Sequence, residues 1–267
     1  MALGIIVCGV GGRMGGAVVR AIQQSAEFRL NGAIDRPGSA RVGRDAGELS
    51  GAGHIGVPVT DNLAAALKSN TVIIDFTHPA ASIEFLRLAA RKSVPIVIAT
   101  TGFDARQMAE IKRWSRRTAT LVSANTSLGV NVLVSLVGKA AEMLGDDYDV
   151  EIVEAHHRFK KDAPSGTALV LGRSIGDALG RDLGKISVSG RKGLTGERGR
   201  KEIALLSVRA GDIVGEHTVI FGGIGERLEF IHRAHSRDTF ARGALRAALW
   251  LAHKKPGLYN MRNVLEL

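Results

Sequence analysis

The run Gly9-Val10-Gly11-Gly12-Arg13-Met14-Gly15 lies between an apolar stretch, Gly4 to Gly9, and an amphipathic one, Arg13 to Ser25. No other feature limits the possible folds as much. Glycines belong at such a junction because a side chain would block the tight turn, the approach of backbone N–H groups to a pyrophosphate, or the packing of helix on sheet. The spacing Gly9, Gly12, Gly15 is a variant of Gly-x-Gly-x-x-Gly and by itself is also compatible with a plain strand-to-helix turn. Asp35 ends the next apolar stretch 20 residues beyond Gly15, where a carboxylate accepts hydrogen bonds from an adenosine ribose. Arg36 follows it and suits a 2′-phosphate. Strand, glycines, helix, strand and carboxylate in that order predict a dinucleotide site.

The remaining first half continues the alternation of short apolar runs with longer amphipathic ones that parallel strands and crossover helices require. Strands are expected at Gly4 to Gly9, Arg29 to Ile34, Thr71 to Phe76, Pro95 to Ala99 and Thr120 to Ser123. Helices are expected near Arg13 to Ser25, Asn62 to Lys68, Ala80 to Arg91 and Ala105 to Arg117, with Gly38 to Gly56 an irregular excursion. Thr77, Thr100, Thr101, Gly102 and Ser123 to Thr126 fall at strand ends, where a doubly wound sheet places its ligand crevice, and are expected to line the nicotinamide half. Small hydroxyl residues there also serve as caps.

After Asn125 the pattern changes. A helix from Val130 to Leu144, a strand ending near Ala155, a helix from Ser165 to Leu179, and strands at Ile203 to Arg209, Thr218 to Phe221 and Arg227 to Arg233 describe an α+β unit on an open mixed sheet. Gly184 to Arg200 reads as a mobile loop, and the last helix, Thr239 to His253, is assignable to either unit. The fold class is therefore α/β: an N-terminal Rossmann-type doubly wound parallel sheet with a second α+β domain.

Composition narrows the partners. A net charge of +10 raises the question of nucleic acid, but 4% aromatics, no zinc-finger spacing and no arginine-rich arm leave little to stack bases or read a groove. A field that steers small polyanions accounts for the charge. The single cysteine, Cys8, calls for no oxidising compartment. With no signal-peptide pattern and no apolar run approaching about 18 residues, the expected location is the cytoplasm, away from any membrane.

The densest chemistry is Glu154-Ala155-His156-His157-Arg158-Phe159-Lys160-Lys161-Asp162-Ala163-Pro164-Ser165-Gly166-Thr167-Ala168. Histidines and cations follow a strand, and Pro164-Ser165-Gly166-Thr167 opens a helix with Pro near its first position. Free N–H groups at a helix start beside Lys and His form a carboxylate trap, and His titrates near neutral pH. Solvated surface charge is the competing reading. Metal binding is disfavoured, because adjacent histidines point apart and neither a His-x-x-x-His pair nor a cysteine stands nearby.

This run, the glycine loop with Arg13-Met14-Gly15, Asp75-Phe76-Thr77, Thr100-Thr101-Gly102-Phe103, and Asn131 after Gly129-Val130 together resemble the dihydrodipicolinate reductase family over essentially the whole chain. The resemblance implies a dinucleotide-binding domain of residues 1–127 plus 237–267 and a substrate-binding, oligomerising domain of 128–236, assembled as a homotetramer. It implies NADH- or NADPH-dependent reduction of a small cyclic dicarboxylate on the diaminopimelate route to lysine. It makes His156 the proton donor or acceptor and Lys160 a second donor, and gives His157, Gly166 and Thr167 to the substrate carboxylates. Gly9, Val10, Gly11, Gly12, Arg13, Met14, Asp35, Arg36, Ala99, Thr100, Thr101, Ser123, Ala124, Asn125 and Thr126 correspond to its cofactor positions. The chain departs from the family in Ala99, where many members have Gly, in Thr126, where an aromatic residue is usual, and in the shorter acid at Asp35. Two other readings remain open: a different two-domain amino-acid dehydrogenase, which would oxidise amino or hydroxy acids, and a dinucleotide sensor that consumes no cofactor.

Overall fold

The computed structural model describes residues 2–267. In chain order the elements are β1 (Leu3–Cys8), α1 (Arg13–Gln23), β2 (Phe28–Ile34), α2 (Ala46–Ser50), β3 (Val59–Thr60), α3 (Leu63–Ala66), β4 (Thr71–Asp75), α4 (Pro79–Lys92), β5 (Ile96–Ile98), α5 (Ala105–Trp114) and β6 (Ala119–Val122). They continue with α6 (Leu128–Leu144), β7 (Asp149–His156), α7 (Gly166–Ala178), α8 (Leu183–Ile186), β8 (Ser187–Val188), β9 (Ile203–Arg209), β10 (Gly215–Gly222), β11 (Arg227–Ala234), α9 (Asp238–Leu251), β12 (Gly257–Tyr259) and α10 (Met261–Leu265). The chain divides into two compact units, one running to Leu128 and resuming at Arg237–Leu267, the other Gly129–Ser236.

The first unit holds a seven-stranded parallel sheet in the order β12-β6-β5-β4-β1-β2-β3. Its central strands β1, β4 and β5 are buried at every position because both faces are covered. Ile5 and Val7 of β1 join one core with Val18 and Ile22 of α1 and Ala244 and Leu251 of α9. Ile6 and Cys8 join the opposite core with Leu86 of α4 and Ile111 of α5. β1 lies between β2 and β4, so the strand order reverses there and a crevice opens beyond the carboxyl ends of β1 and β4. The last helix belongs to this unit, approaching closely through a face of small residues, Ala241, Gly243, Ala244, Ala247 and Ala248.

The second unit is built on a five-stranded mixed sheet, β11-β10-β7-β9-β8, antiparallel on one side of β7 and parallel on the other. Alternate residues Val150, Ile152, Val219, Phe221, Ile203 and Leu205 turn to one face and pack with Leu133, Val137 and Ala141 of α6 and Leu171 and Ile175 of α7.

Several expectations are corrected. Gly38 to Gly56 is not wholly irregular: α2 forms inside it because the Asp45 carboxylate caps Gly47 and Glu48 and also receives the N–H groups of Ile55 and Val57. The Asn62 to Lys68 helix shrinks to α3, since Leu67 is already extended. Part of the Gly184 to Arg200 stretch is regular, as α8 and β8. The rest is tied down by Arg191 and Arg198, which pair with Glu151 and Glu202. β3, β12 and α10 have no counterpart in the sequence pattern, being too short to show a period. Leu128–Asp147 is long and apolar enough to cross a membrane by length and composition, with mean hydropathy 1.4. It reaches that length only by including Lys139, Glu142, Asp146 and Asp147, and Leu133, Val137 and Ala141 line the core described above.

Gly243 gives a direct test of how closely α9 packs. Alanine in a helix interior normally stabilises by about 1 kcal/mol over glycine. Here a Cβ would lie 1.7 Å from the carbonyl oxygen of Thr126. Gly243→Ala should therefore lose about 1–3 kcal/mol, in the range of overpacked cores, and lower the urea midpoint rather than raise it.

Candidate active site

The chemistry of the second unit is organised around Glu154, whose side chain is fully buried near the end of β7. Its Oε2 accepts His156 Nδ1 at 2.6 Å and Arg209 Nη1 at 2.8 Å. Its Oε1 accepts Arg209 Nη2 at 2.7 Å and the Ser165 backbone N–H at 3.1 Å. Burial alone would raise this carboxyl, but the hydrogen bonds from Arg209, Ser207 and His156 outweigh it and hold the group at about 2. A carboxylate ionised throughout the working range is an acceptor only. His156 Nδ1 therefore carries the proton, and Nε2 is the nitrogen available for exchange.

Register explains the convergence. Glu154 and His156 are two apart on one strand and share a face, and β9 pairs in parallel so that His156 stands opposite Arg209. From β10, His217 stands opposite Glu154, and its ring meets that of His156 edge-on at 5.3 Å between centroids. His156 Nε2 lies above Gly215, where a Cβ would come within 3.1 Å of it. Burial, with the nearby Lys160 and Arg209 charges, lowers the His156 pKa against the opposing pull of Glu154.

After β7 the chain turns back, with Lys160 N–H bonded to His157 O. Lys160 Nζ meets both oxygens of Asp162, at 2.9 and 2.8 Å, and Arg209 Nη2 also holds Asp162 O. Ser165 caps α7 by accepting from Ala168 N–H at 3.1 Å. Pro164 thus precedes the cap instead of standing at the first helical position, because Ser165 supplies the capping oxygen. Gly166 opens the helix, is exposed, and has open space where a Cβ would be. The His157 ring lies 6.2 Å from that of Phe159, and its Nδ1 is buried without a partner. His156, Lys160 and the α7 entrance are thus drawn into one cluster, while Lys161 stays exposed.

In the first unit, Gly9 adopts φ +83°, a left-handed conformation that glycine tolerates. A Cβ on Gly15 would lie 2.2 Å from Gly9 O, so α1 starts against the turn itself. The α1 N-cap, Gly12, provides no side-chain cap, which leaves the first-turn N–H groups facing outward for an anion. These observations fit a dinucleotide pyrophosphate. Asp35 follows directly after β2, beside Gly11, the position from which a doubly wound sheet can present a carboxylate to a ribose. At the ends of β4 and β5, buried Asp75 accepts from Thr77 N–H (3.0 Å), Thr77 Oγ1 (2.5 Å), Thr100 Oγ1 (3.3 Å) and Ser82 Oγ, fixing both loops. Ala99 and Thr100 are buried, whereas Thr101 is exposed and precedes Gly102 at φ +87°. Ser123 Oγ bonds Asn125 O at 2.7 Å, and Ala124 is exposed at that turn. Thr126 is buried, with its hydroxyl committed to Phe240 O at 2.7 Å.

Glu154, Arg209, Ser165 and His217 carry no assigned role in the sequence pattern. The first and third stood in plain view in the motif; a charged residue of alternating parity, Glu154 two before His156, was the available signal. Arg209 and His217 lie on other strands and become neighbours only through pairing.

A doubly wound sheet with an uncapped glycine turn, together with a unit that holds an ionised carboxylate, a histidine and a helix entrance, defines a two-unit nicotinamide-dependent oxidoreductase. The family models described as dihydrodipicolinate reductase, N-terminus and C-terminus, match residues 3–126 and 129–265. The chain belongs to the dihydrodipicolinate reductase family. It is 51% identical over 267 residues to a 4-hydroxy-tetrahydrodipicolinate reductase of Thiobacillus denitrificans, covering 100% of both chains. It is 49% identical over 260 residues to the one of Syntrophus aciditrophicus, covering 97% of each. Its fold matches a solved dipicolinate-bound dihydrodipicolinate reductase from Paenisporosarcina sp. TG-14 with TM-score 0.72 at 23% identity, covering 97% of this chain and 98% of the other.

Burial of His217 predicts a loss of stability in acid. Burial, then the neighbouring His156 charge, lowers its pKa to about 3, so it is neutral in the folded protein where the unfolded chain would begin to protonate near 6.5. A depressed histidine contributes stability above pH 6.5 that is lost as pH falls toward 3. Urea unfolding should show stability dropping across this window with a contribution of up to about 1.4 kcal/mol per pH unit from this group. His217→Gln should flatten that slope; an unchanged slope would assign the acid sensitivity elsewhere.

Proposed function

We propose that the chain reduces 4-hydroxy-tetrahydrodipicolinate to tetrahydrodipicolinate with NADH or NADPH, in the cytoplasm, on the diaminopimelate route to lysine. The observation that carries this reading is identity of about half of all residues, end to end, with relatives named for that activity. A solved relative named as dipicolinate-bound supports a cyclic dicarboxylate as the substrate class.

The dinucleotide would be held by Gly9 to Met14 at its pyrophosphate, by Asp35 and Arg36 at its adenosine, and by Ala99 to Thr101 and Ser123 to Asn125 at its nicotinamide half. Thr126 supports that turn through Phe240 instead of offering its hydroxyl. When bound, the reduced nicotinamide supplies a hydride to C4 of the substrate ring. The protein's task is to orient the ring, hold its charge and move protons. Gly166 and Thr167 at the α7 entrance, with His157, receive the carboxylates. Loss of the 4-hydroxyl as water places a proton on the departing oxygen and takes one from the neighbouring ring carbon, and the enamine left by hydride arrival at C4 regains a proton at that carbon, so one proton is consumed per hydride. His156 Nε2 and Lys160 Nζ are the proton donors. Glu154 fixes the imidazole tautomer, and Asp162 holds the ammonium until a dianion competes for it.

The assay generates the substrate in place by enzymatic condensation of pyruvate with aspartate semialdehyde and follows cofactor absorbance. His156→Gln should keep cofactor binding and lose on the order of 10²- to 10⁴-fold in kcat. Lys160→Met should lose kcat and substrate affinity together, and Lys161→Ala should be nearly silent. Comparable damage from Lys161→Ala and Lys160→Met would refute the residue assignment while leaving the activity standing.

We also propose that the chain works as a homotetramer, joined through the second sheet's outer face. Leu206, Val153, Thr218 and Ile231 form one row across four strands, and Val208 and Ile220 stand in the flanking rows. Val208 and Ile231 are 45% and 46% exposed, an apolar surface that a subunit contact would cover. Ile231→Lys should reduce the mass measured by light scattering from four chains toward fewer; an unchanged mass places the contact elsewhere.

A further inference from the structure

Asp35, the carboxylate set against the adenosine ribose, is already engaged. Its Oδ1 accepts the Arg36 backbone N–H at 2.8 Å, and its Oδ2 accepts Ser39 Oγ at 2.9 Å and Arg41 Nη1 at 3.4 Å. The Arg41 stem crosses the glycine loop. A Cβ on Gly11 would stand 2.6 Å from Arg41 Cδ, 2.8 Å from Arg41 Nε and 2.6 Å from Asp35 Oδ2. One guanidinium therefore lies at the meeting point of the loop that faces the pyrophosphate and the acid that faces the ribose. Arg36, adjacent in sequence, gives Asp35 only its backbone N–H; its side chain is exposed and forms no ion pair among the described residues. Arg44, also exposed, pairs with no acid there either.

We infer that Arg41, more than Arg36, sets the choice between a free and a phosphorylated ribose 2′ position. The inference rests on the reading of the first unit as a dinucleotide site. An isolated Asp35 carboxylate accepts from a 2′-hydroxyl and repels a 2′-phosphate, the usual basis of exclusion. Arg41 cancels much of that repulsion by standing against the carboxylate. Its hold on Asp35 is a single contact at 3.4 Å from a side chain 46% exposed, weak enough to yield to a stronger acceptor. A phosphate dianion is such an acceptor, because it takes the guanidinium fork through two parallel bonds. Ser39 remains on Asp35 in either case and keeps the carboxylate oriented. The pair thus admits both cofactors: Arg41 on Asp35 for the hydroxyl, Arg41 on the phosphate for the phosphorylated ribose.

The test is calorimetric binding of adenosine 2′,5′-bisphosphate and of 5′-AMP to the enzyme without cofactor, which reads affinity independently of turnover. Arg41→Ala should weaken the bisphosphate by at least about tenfold, the scale of a lost charge-assisted pair, with 5′-AMP changed by less than about twofold. Arg41→Lys should recover part of the loss, since a point charge replaces the fork. Arg36→Ala should cost the bisphosphate less than Arg41→Ala does. Equal weakening of both nucleotides in Arg41→Ala, or loss confined to Arg36→Ala, would overturn the inference while leaving the dinucleotide site in place. Failure of the unmodified protein to bind either nucleotide would overturn the dinucleotide reading, and this inference with it.

Discussion

A carboxylate removed from water is unfavourable by several kcal/mol unless hydrogen bonds and opposite charge replace its solvation. Glu154 is such a group, and much of the second unit is arranged to meet its requirement. Arg209 grips it with both terminal nitrogens, the Ser165 N–H closes the α7 entrance onto it, and His156 gives it a proton-bearing nitrogen. Each partner comes from a different segment: the end of β9, the cap of α7, the end of β7. Because each is bound to the same carboxylate, their relative positions are fixed together. Removing the acid would leave a half-buried guanidinium and a loosened helix entrance, in addition to a freely rotating imidazole.

That arrangement explains how one histidine is chosen from a pair. His156 and His157 are adjacent, so their side chains leave the chain in different directions. Only His156 lies on the face shared with Glu154, and only it is assigned a fixed tautomer. Its environment also works against a permanent charge, since burial, Lys160 and Arg209 oppose Glu154. A group balanced in this way is suited to passing a proton, which is the role proposed for it. The buried neutral His217 closes the other side of the ring without adding charge.

In the dinucleotide-type unit the comparable constraint is steric. Gly15 against Gly9 O, and Gly243 against Thr126 O, are contacts of backbone with backbone that no side chain tolerates. They set the start of α1 and the seat of α9. Buried Asp75 then joins the loops after β4 and β5 through hydroxyl donors, with burial pushing its carboxyl up and those hydrogen bonds pulling against it.

The amino-acid sequence by itself determined the doubly wound first unit, the order of its glycines and acid, and the existence of a basic cluster before a helix. These are local patterns: apolar period, turn residues and short spacing. It also carried the family resemblance. Short elements such as β3, β12 and α10 escaped because a few residues show no period, and α2 escaped because its stability lies in one Asp45 side chain serving four N–H groups. Only the tertiary structure decided that Arg209 and His217 stand with Glu154, since each arrives from a strand more than 50 residues away and register alone brings them opposite. It also decided that Thr126 turns to Phe240 and that Arg41, not the adjacent Arg36, places its guanidinium on Asp35. Strand pairing and loop closure bring together groups that the chain keeps apart, and those contacts have no signature in local sequence.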